Sequence, residues 1–164
     1  MQISAFSALW FLPFVVPLCY MTALMDLREM RIPNKVVIAL AAVFVLVGLI
    51  ALPFDEYLWR LAQLGIVLVV GVAINAAGLV GAGDAKFAAA AAPFIAFGDV
   101  RLLLAVFAAN MLAAFLTHRI AKYTPLRKIA PDWQSWEQGK QFPMGLALGA
   151  TLTIYLLLGA FFGT

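Results

Sequence analysis

Two aspartates are candidates for chemistry because each interrupts a strongly apolar stretch. Asp84 lies in VGAGDAKFAAAAAPF, residues 80–94, behind Gly81 and Gly83, and Asp26 ends the first apolar segment. Two carboxylates held within a few ångströms cannot easily both ionise, so such a pair can share a proton at neutral pH. One member can then take a proton from water while the other donates to a carbonyl oxygen, and which does which is a property of the pair. This hydrolysis needs no covalent intermediate, no metal and no cofactor.

The composition indicates which elements must position these carboxylates. The 164 residues are 65% hydrophobic and only 12% charged, with a mean hydropathy of +1.01. Soluble domains are about 45–50% apolar and roughly 25% charged. A helix needs about 20 apolar residues to cross a bilayer. The sequence therefore predicts an all-α polytopic membrane protein, a single domain over residues 1–164, with about six transmembrane helices at residues 4–25, 35–53, 58–79, 85–97, 100–118 and 143–162.

The fourth segment is the shortest. At about 1.5 Å per residue it reaches only about 20 Å, so it is either buried among its neighbours or half-embedded. Fusion with the fifth segment through Gly98 would reduce the count to five.

The basic residues predict the orientation of the bundle. Nine of the 11 lysines and arginines fall in the odd-numbered connections between segments: Arg28, Arg31, Lys35, Lys86, Arg119, Lys122, Arg127, Lys128 and Lys140. The even connections hold only Arg60 and Arg101. By the positive-inside rule the odd connections are cytoplasmic and both termini are extracytoplasmic. The net charge of +3 then reflects topology and not nucleic-acid binding.

This orientation brings Asp26 and Asp84 to one membrane depth, at the cytoplasmic edge. Asp55, Glu56 and Asp99 fall at the opposite face, and we expect their amide variants to be active. We also expect Gly81 and Gly83 to let the fourth helix begin against the first, because glycine permits close approach and unusual dihedrals.

Other interpretations of the two aspartates stay open at this point. Asp26 can be a solvated helix end, and Asp84 can be an N-cap, a position that aspartate favours. Intramembrane carboxylates also serve as ion or proton relays, which would suit a small transporter or channel subunit. A structural subunit of a secretion complex is a further alternative, and it predicts tolerance of Asp84→Ala.

The remaining reactive or aromatic residues have simpler interpretations. Cys19 is the only cysteine, so it forms no internal disulfide, and we expect a small buried core residue. His118, the only histidine, is interpreted as interfacial. Trp133 and Trp136 are three residues apart, which predicts one face of a short helix at the headgroup level, with substrate contact as the alternative.

Three motifs in this order resemble the type IV prepilin peptidase family, which are GxGD aspartic proteases of the membrane. They are Asp26 followed by RIPN, then GAGDAK at 81–86, then FPMGLALG at 142–149. The resemblance covers essentially the whole chain. It implies that Asp26 and Asp84 are catalytic and that the supporting motif residues are Gly81, Gly83, Lys86, Pro33, Asn34, Pro143 and Gly145.

The resemblance also implies a substrate and a location. Family members cut the short basic leader from prepilins and pseudopilins at the cytoplasmic edge of the bacterial inner membrane, after a glycine and before an apolar helix. Because the first predicted helix begins at about residue 4, we expect no N-terminal methyltransferase domain, and the chain resembles the short, peptidase-only form of Flp or tight-adherence pilus systems. Partners are then the prepilin and the lipid bilayer. Lys86, two residues from Asp84, is expected to point away from it and to contact the substrate at most.

Overall fold

The computed structural model describes residues 1–138 and 141–164, so Lys140 lies outside the described residues. The regular secondary structure of the described residues is all helical, with no strand among them, as predicted. Its six α-helices are α1 (Ala5–Glu29), α2 (Asn34–Ala51), α3 (Phe54–Ala76), α4 (Ala82–Ala91), α5 (Val100–Tyr123) and α6 (Met144–Phe162). In this part of the chain five helices are long and apolar enough to cross a membrane, and α4, with 10 residues, is not.

Several helix ends differ from the sequence-based bounds for local reasons. Helix α1 continues past Asp26 to Glu29 and ends where Met30 takes the left-handed conformation, with φ of 52°. Helix α3 starts directly after Pro53. It ends at Ala76 because Gly78, expected inside this helix, has φ of +74°, which disrupts helical geometry. Helix α5 runs past His118 to Tyr123 and stops before Pro125.

Helix α1 is central and packs along α6, with α2 on another side, while α3 packs on α4 and α5 on α6. The α1–α6 contact is close because α6 carries glycines: a Cβ at Gly149 would lie 2.7 Å from the backbone oxygen of Cys19. Small residues allow such approach between membrane helices. Cys19 is buried, as predicted. The aromatic core lies nearer the N-terminal end of α1, where Phe11 packs on Phe44 and Phe94.

Hydrogen bonds between helix ends define two ends of the bundle. At the N-terminal end of α1, the Ser7 hydroxyl donates to the Ala51 oxygen, and the Asp99 carboxylate accepts backbone N–H groups of Gln2 and Ile3 at 2.9 and 3.1 Å. At the C-terminal end of α1, Asp26 meets the start of α6. The segment from Asp84 to Asp99 therefore passes from one end to the other, although α4 is short.

This passage uses a break in the helix after Ala91. Short 3-10 turns follow at Ala92–Phe94 and Phe97–Asp99. Arg60 donates to the Phe94 carbonyl oxygen at 3.2 Å, and the Ala96 N–H donates to the Tyr155 hydroxyl at 3.1 Å. Irregular backbone at membrane depth requires such internal partners. Arg60, expected as a loop charge, is thus a buried residue of α3 at 2% exposure, paired with Glu56 at 2.6 Å.

Candidate active site

Asp26 is fixed within the last turn of α1. Its side chain is 6% exposed, and its Oδ2 accepts a hydrogen bond of 2.7 Å from the backbone N–H of Gly145. Gly145 is in the first turn of α6, where N–H groups have no partner within the helix. Asp26 is therefore not the solvated helix end that the sequence left possible.

Asp84 is positioned by the start of α4. The N-cap of α4 is Gly81, without a side-chain cap, and Asp84 lies in the first turn. In the described part of the chain no group donates a hydrogen bond to its carboxylate, so Asp84 does not have the cap role proposed as an alternative. Burial, with a further contribution from the charge of Asp26, raises the pKa of Asp84 to about 6.

The two carboxylates line one cleft of about 320 Å³. Its walls come from the connection between α1 and α2 and from the GAGDAK segment, and the lining residues are Met30, Arg31, Ile32, Asn34, Gly81, Ala82, Gly83 and Lys86. The Lys86 ammonium donates to the Asn34 side-chain oxygen at 3.2 Å. Lys86 was expected to point away from Asp84, yet it borders the same cleft and links the two motifs.

The motif glycines act differently from what the sequence predicts. A Cβ at Gly83 would lie 3.3 Å from Cβ of Ile32, so Gly83 faces the α1–α2 connection and not α1 itself. A Cβ at Gly81 would lie 2.8 Å from Oδ2 of Asp84. At the cleft, the glycine that approaches α1 is Gly145 of α6, where a Cβ would lie 2.8 Å from Cβ of Asp26.

The two motif prolines each precede a helix. Pro33 is the N-cap of α2, and Pro143 is the N-cap of α6. They start the helices that carry Asn34 and Gly145 toward the cleft. Arg31 is the cleft residue that sequence reasoning assigned only to topology, and its place between Asp26 and Pro33 was the available signal.

Other sequence candidates lie away from the cleft. Trp136 is buried at 4% exposure, stacks on His118 and Trp133, and donates from its indole N–H to the Ala130 oxygen at 2.7 Å. His118 is also buried, so both side chains are packed within the protein. In the described residues no group of three or more His, Cys, Asp or Glu side chains is placed to hold a metal ion.

Comparison with known families places this geometry in context. The model of the type IV leader peptidase family matches residues 13–118, well over half of the chain, and the match includes both Asp26 and Asp84. The chain belongs to the type IV leader peptidase family. The family prediction made from the motifs is thereby confirmed, and membership supports a leader peptidase role in a multi-pass membrane protein. Comparisons with curated proteins and with solved structures gave no match.

Proposed function

We propose that this type IV leader peptidase is an aspartic endopeptidase that removes the leader of Flp-like type IV prepilins. The observation that carries the proposal is the shared cleft, in which Asp26 from α1 and Asp84 from α4 face one space at one end of the bundle. The two residues are far apart in sequence, and Asp26 is buried while Asp84 is half-buried. Perturbed titratable groups in a cleft are typical of catalytic sites.

The proposed reaction uses a water molecule between the carboxylates. The ionised aspartate accepts a proton from water, whose oxygen attacks the scissile carbonyl carbon, and the protonated aspartate donates to the carbonyl oxygen. Collapse of the tetrahedral species breaks the C–N bond as the amine takes the proton held by the first aspartate, while a hydroxyl proton of the tetrahedral species returns to the second aspartate. The pair returns to its starting state with one shared proton, as in other aspartic proteases.

We assign the proton of the resting pair to Asp84. Oδ2 of Asp26 already accepts the Gly145 N–H at 2.7 Å, whereas the Asp84 carboxylate receives no donor from the described residues. Asp26 then acts as the base toward water and Asp84 as the acid toward the substrate carbonyl.

The charge distribution supports cleavage at the cytoplasmic edge of the bacterial inner membrane. Arg28, Arg31, Lys35 and Lys86 lie at the end of the bundle that carries the carboxylates, and the positive-inside rule makes that end cytoplasmic. Met1 and Thr164, joined by a hydrogen bond of 2.8 Å, lie at the other end. In this orientation both termini are extracytoplasmic, and the segment containing α4 supplies the sixth crossing.

Co-expression with an Flp-type prepilin tests the proposal. Wild-type protein should convert the prepilin to a faster-migrating form whose new N-terminus follows the leader glycine. Asp26→Asn and Asp84→Asn should each abolish conversion while the protein stays inserted and folded. Asp55→Asn is the control, because Asp55 is an exposed carboxylate of α3 outside the cleft.

Near-normal conversion by either cleft variant would exclude the two-aspartate mechanism. It would favour a transporter or a structural secretion subunit, in which the carboxylates relay ions or only stabilise helix ends.

A further inference from the structure

A second concavity begins where the catalytic cleft ends. It is an apolar groove of about 360 Å³ whose lining includes Val70, Gly71, Ala88, Ala91, Leu104 and Leu148. Helix α4 and α6 form its floor, while α3 and α5 form its walls. Asp84 lines both the groove and the cleft, so the two spaces meet at that carboxylate.

The walls of the groove are open to the surroundings of the bundle. Val70 on α3 and Leu104 on α5 are 50% and 58% exposed, so the described chain leaves their side chains largely uncovered. The side chains that α4 contributes to the floor are small, because Ala85, Ala88 and Ala91 recur there one turn apart. Small side chains at this spacing allow another helix to approach closely within a membrane.

Polarity changes sharply at Asp84. On the cleft side the lining includes Arg31, Asn34 and Lys86, and on the groove side it is almost entirely alkyl. A chain lying across Asp84 would therefore be polar on one side of the reacting bond and apolar on the other. From Asp84 the floor follows α4 to Ala91 and the 3-10 turn to Phe94, about 16 Å in all at about 1.5 and 2.0 Å per residue, which matches about three turns of a bound helix.

We infer that the groove binds the apolar helix of the substrate, seating about its first 11 residues between α3 and α5. This inference rests on the proposed function. The seated helix fixes the register of the substrate, because its first residue meets Asp84 while the polar leader lies in the cleft. Specificity for an apolar segment directly after the cut then comes from α3, α4 and α5, outside the catalytic pair.

Photocrosslinking tests where the helix lies. The photoreactive residue p-benzoylphenylalanine would replace Val70 or, as the matched control, Val69, which is the adjacent residue on α3 at 71% exposure and lies outside the groove. Both are made in the Asp84→Asn background, which retains uncut tagged prepilin. We expect crosslinks from position 70 to the first 11 residues after the cleavage site, and few from position 69. Equal labelling from both positions, or crosslinks from position 70 to lipid alone, would overturn the inference.

Filling the groove tests its contribution to catalysis. Ala88→Trp places a large side chain on the floor, and Ala108→Trp places the same side chain on an exposed position of α5 outside the groove. We expect Ala88→Trp to lower kcat/KM for the prepilin about 10-fold or more, mainly through KM, with Ala108→Trp near wild type. Ala88→Leu serves if the tryptophan variant does not accumulate.

The outcomes separate the two proposals. Wild-type cleavage with unchanged kinetics in the Ala88 variants rejects the groove and keeps the peptidase. A wild-type protein that leaves the prepilin intact rejects the proposed function itself.

Discussion

Substituting Gly145 by alanine should remove activity while leaving the fold in place. Gly145 donates its N–H to Asp26, and its Cα hydrogen faces the same side chain. A Cβ built there lies 2.8 Å from Cβ, 3.0 Å from Oδ2 and 3.1 Å from Cγ of Asp26. Ordinary contacts begin at 3.4 Å, so α6 or Asp26 must move by about 0.6 Å.

That displacement is large for a catalytic group and small for a helix. A misplacement of about 1 Å can cost about 100-fold in rate, so we expect a roughly 10- to 100-fold loss of kcat. Overpacking costs about 1–3 kcal/mol of the free energy of unfolding, offset by up to about 1 kcal/mol because alanine suits a helix better than glycine. The melting temperature should therefore change little compared with the rate.

The assay is conversion of prepilin by purified enzyme in detergent, with thermal unfolding measured on the same samples. Two matched substitutions distinguish the displacement of Asp26 from overpacking between helices. Gly65→Ala lies on α3, where a Cβ meets nothing within 4 Å, and should be neutral. Gly149→Ala lies one turn along α6, where a Cβ meets the Cys19 oxygen at 2.7 Å, and should lower stability more than it lowers the rate of the folded enzyme. Gly145→Ala with wild-type kcat, or with a rate loss that only parallels its loss of folded protein, would refute this reasoning.

Three further expectations follow from the geometry. The raised pKa of Asp84 means that folding opposes its ionisation. The contribution of Asp84 to stability therefore falls as pH rises from the pKa of the unfolded chain, about 3.9, to the pKa of the folded protein, about 6. Asp84→Asn should melt at a higher temperature than wild type above pH 6 and show no such gain below pH 4. Asp99→Asn should destabilise the protein by about 1–3 kcal/mol, because the Asp99 carboxylate accepts two backbone N–H groups and the Tyr155 hydroxyl; unfolding midpoints matching those of Asp55→Asn would contradict this. Topology can be tested with single cysteines in a background without the native cysteine. Cysteines at Glu29 and Gln134 should react with reagents that reach the cytoplasm, and one at Asp55 should react with external reagents. Labelling of positions 29 and 134 from opposite sides would reject the six-crossing topology.

The helical class and the pairing of Asp26 with Asp84 could be predicted because both depend on patterns that the sequence shows directly. Apolar length predicts helices, and the distribution of lysine and arginine predicts which helix ends lie together. The prediction treated α4 as a continuous helix to residue 97, although Pro93 directly after the alanine run is a local signal for the break after Ala91. That break depends on distant partners, Arg60 and Tyr155, which only the folded chain brings to it.

The contacts between the motifs could not be predicted from the sequence. Gly145 was expected from its motif alone, but its hydrogen bond to Asp26 joins residues 119 positions apart. Gly83 was expected to face α1, and it faces Ile32 instead, because the α1–α2 connection folds over the start of α4. The Asp99 amide variant is expected to be active because Asp99 lies at the opposite face, but its partners, two backbone N–H groups and the Tyr155 hydroxyl, could not be predicted from the sequence.

The broken passage after α4 constrains how this protein can change over evolution. Replacing Arg60 by an alkyl residue would leave the Phe94 carbonyl without its partner, at about 1–3 kcal/mol. Straightening the helix first would instead leave the Arg60 guanidinium, at 2% exposure, without that acceptor, and a hydrogen bond to a charged group contributes about 1.5–3 kcal/mol. Each change alone therefore lowers stability, so descendants of this chain should keep the arginine and the break together or lose both at once. Relatives that retain both features, which lie far from the carboxylates, should keep the same broken crossing of the bundle even where their loops differ.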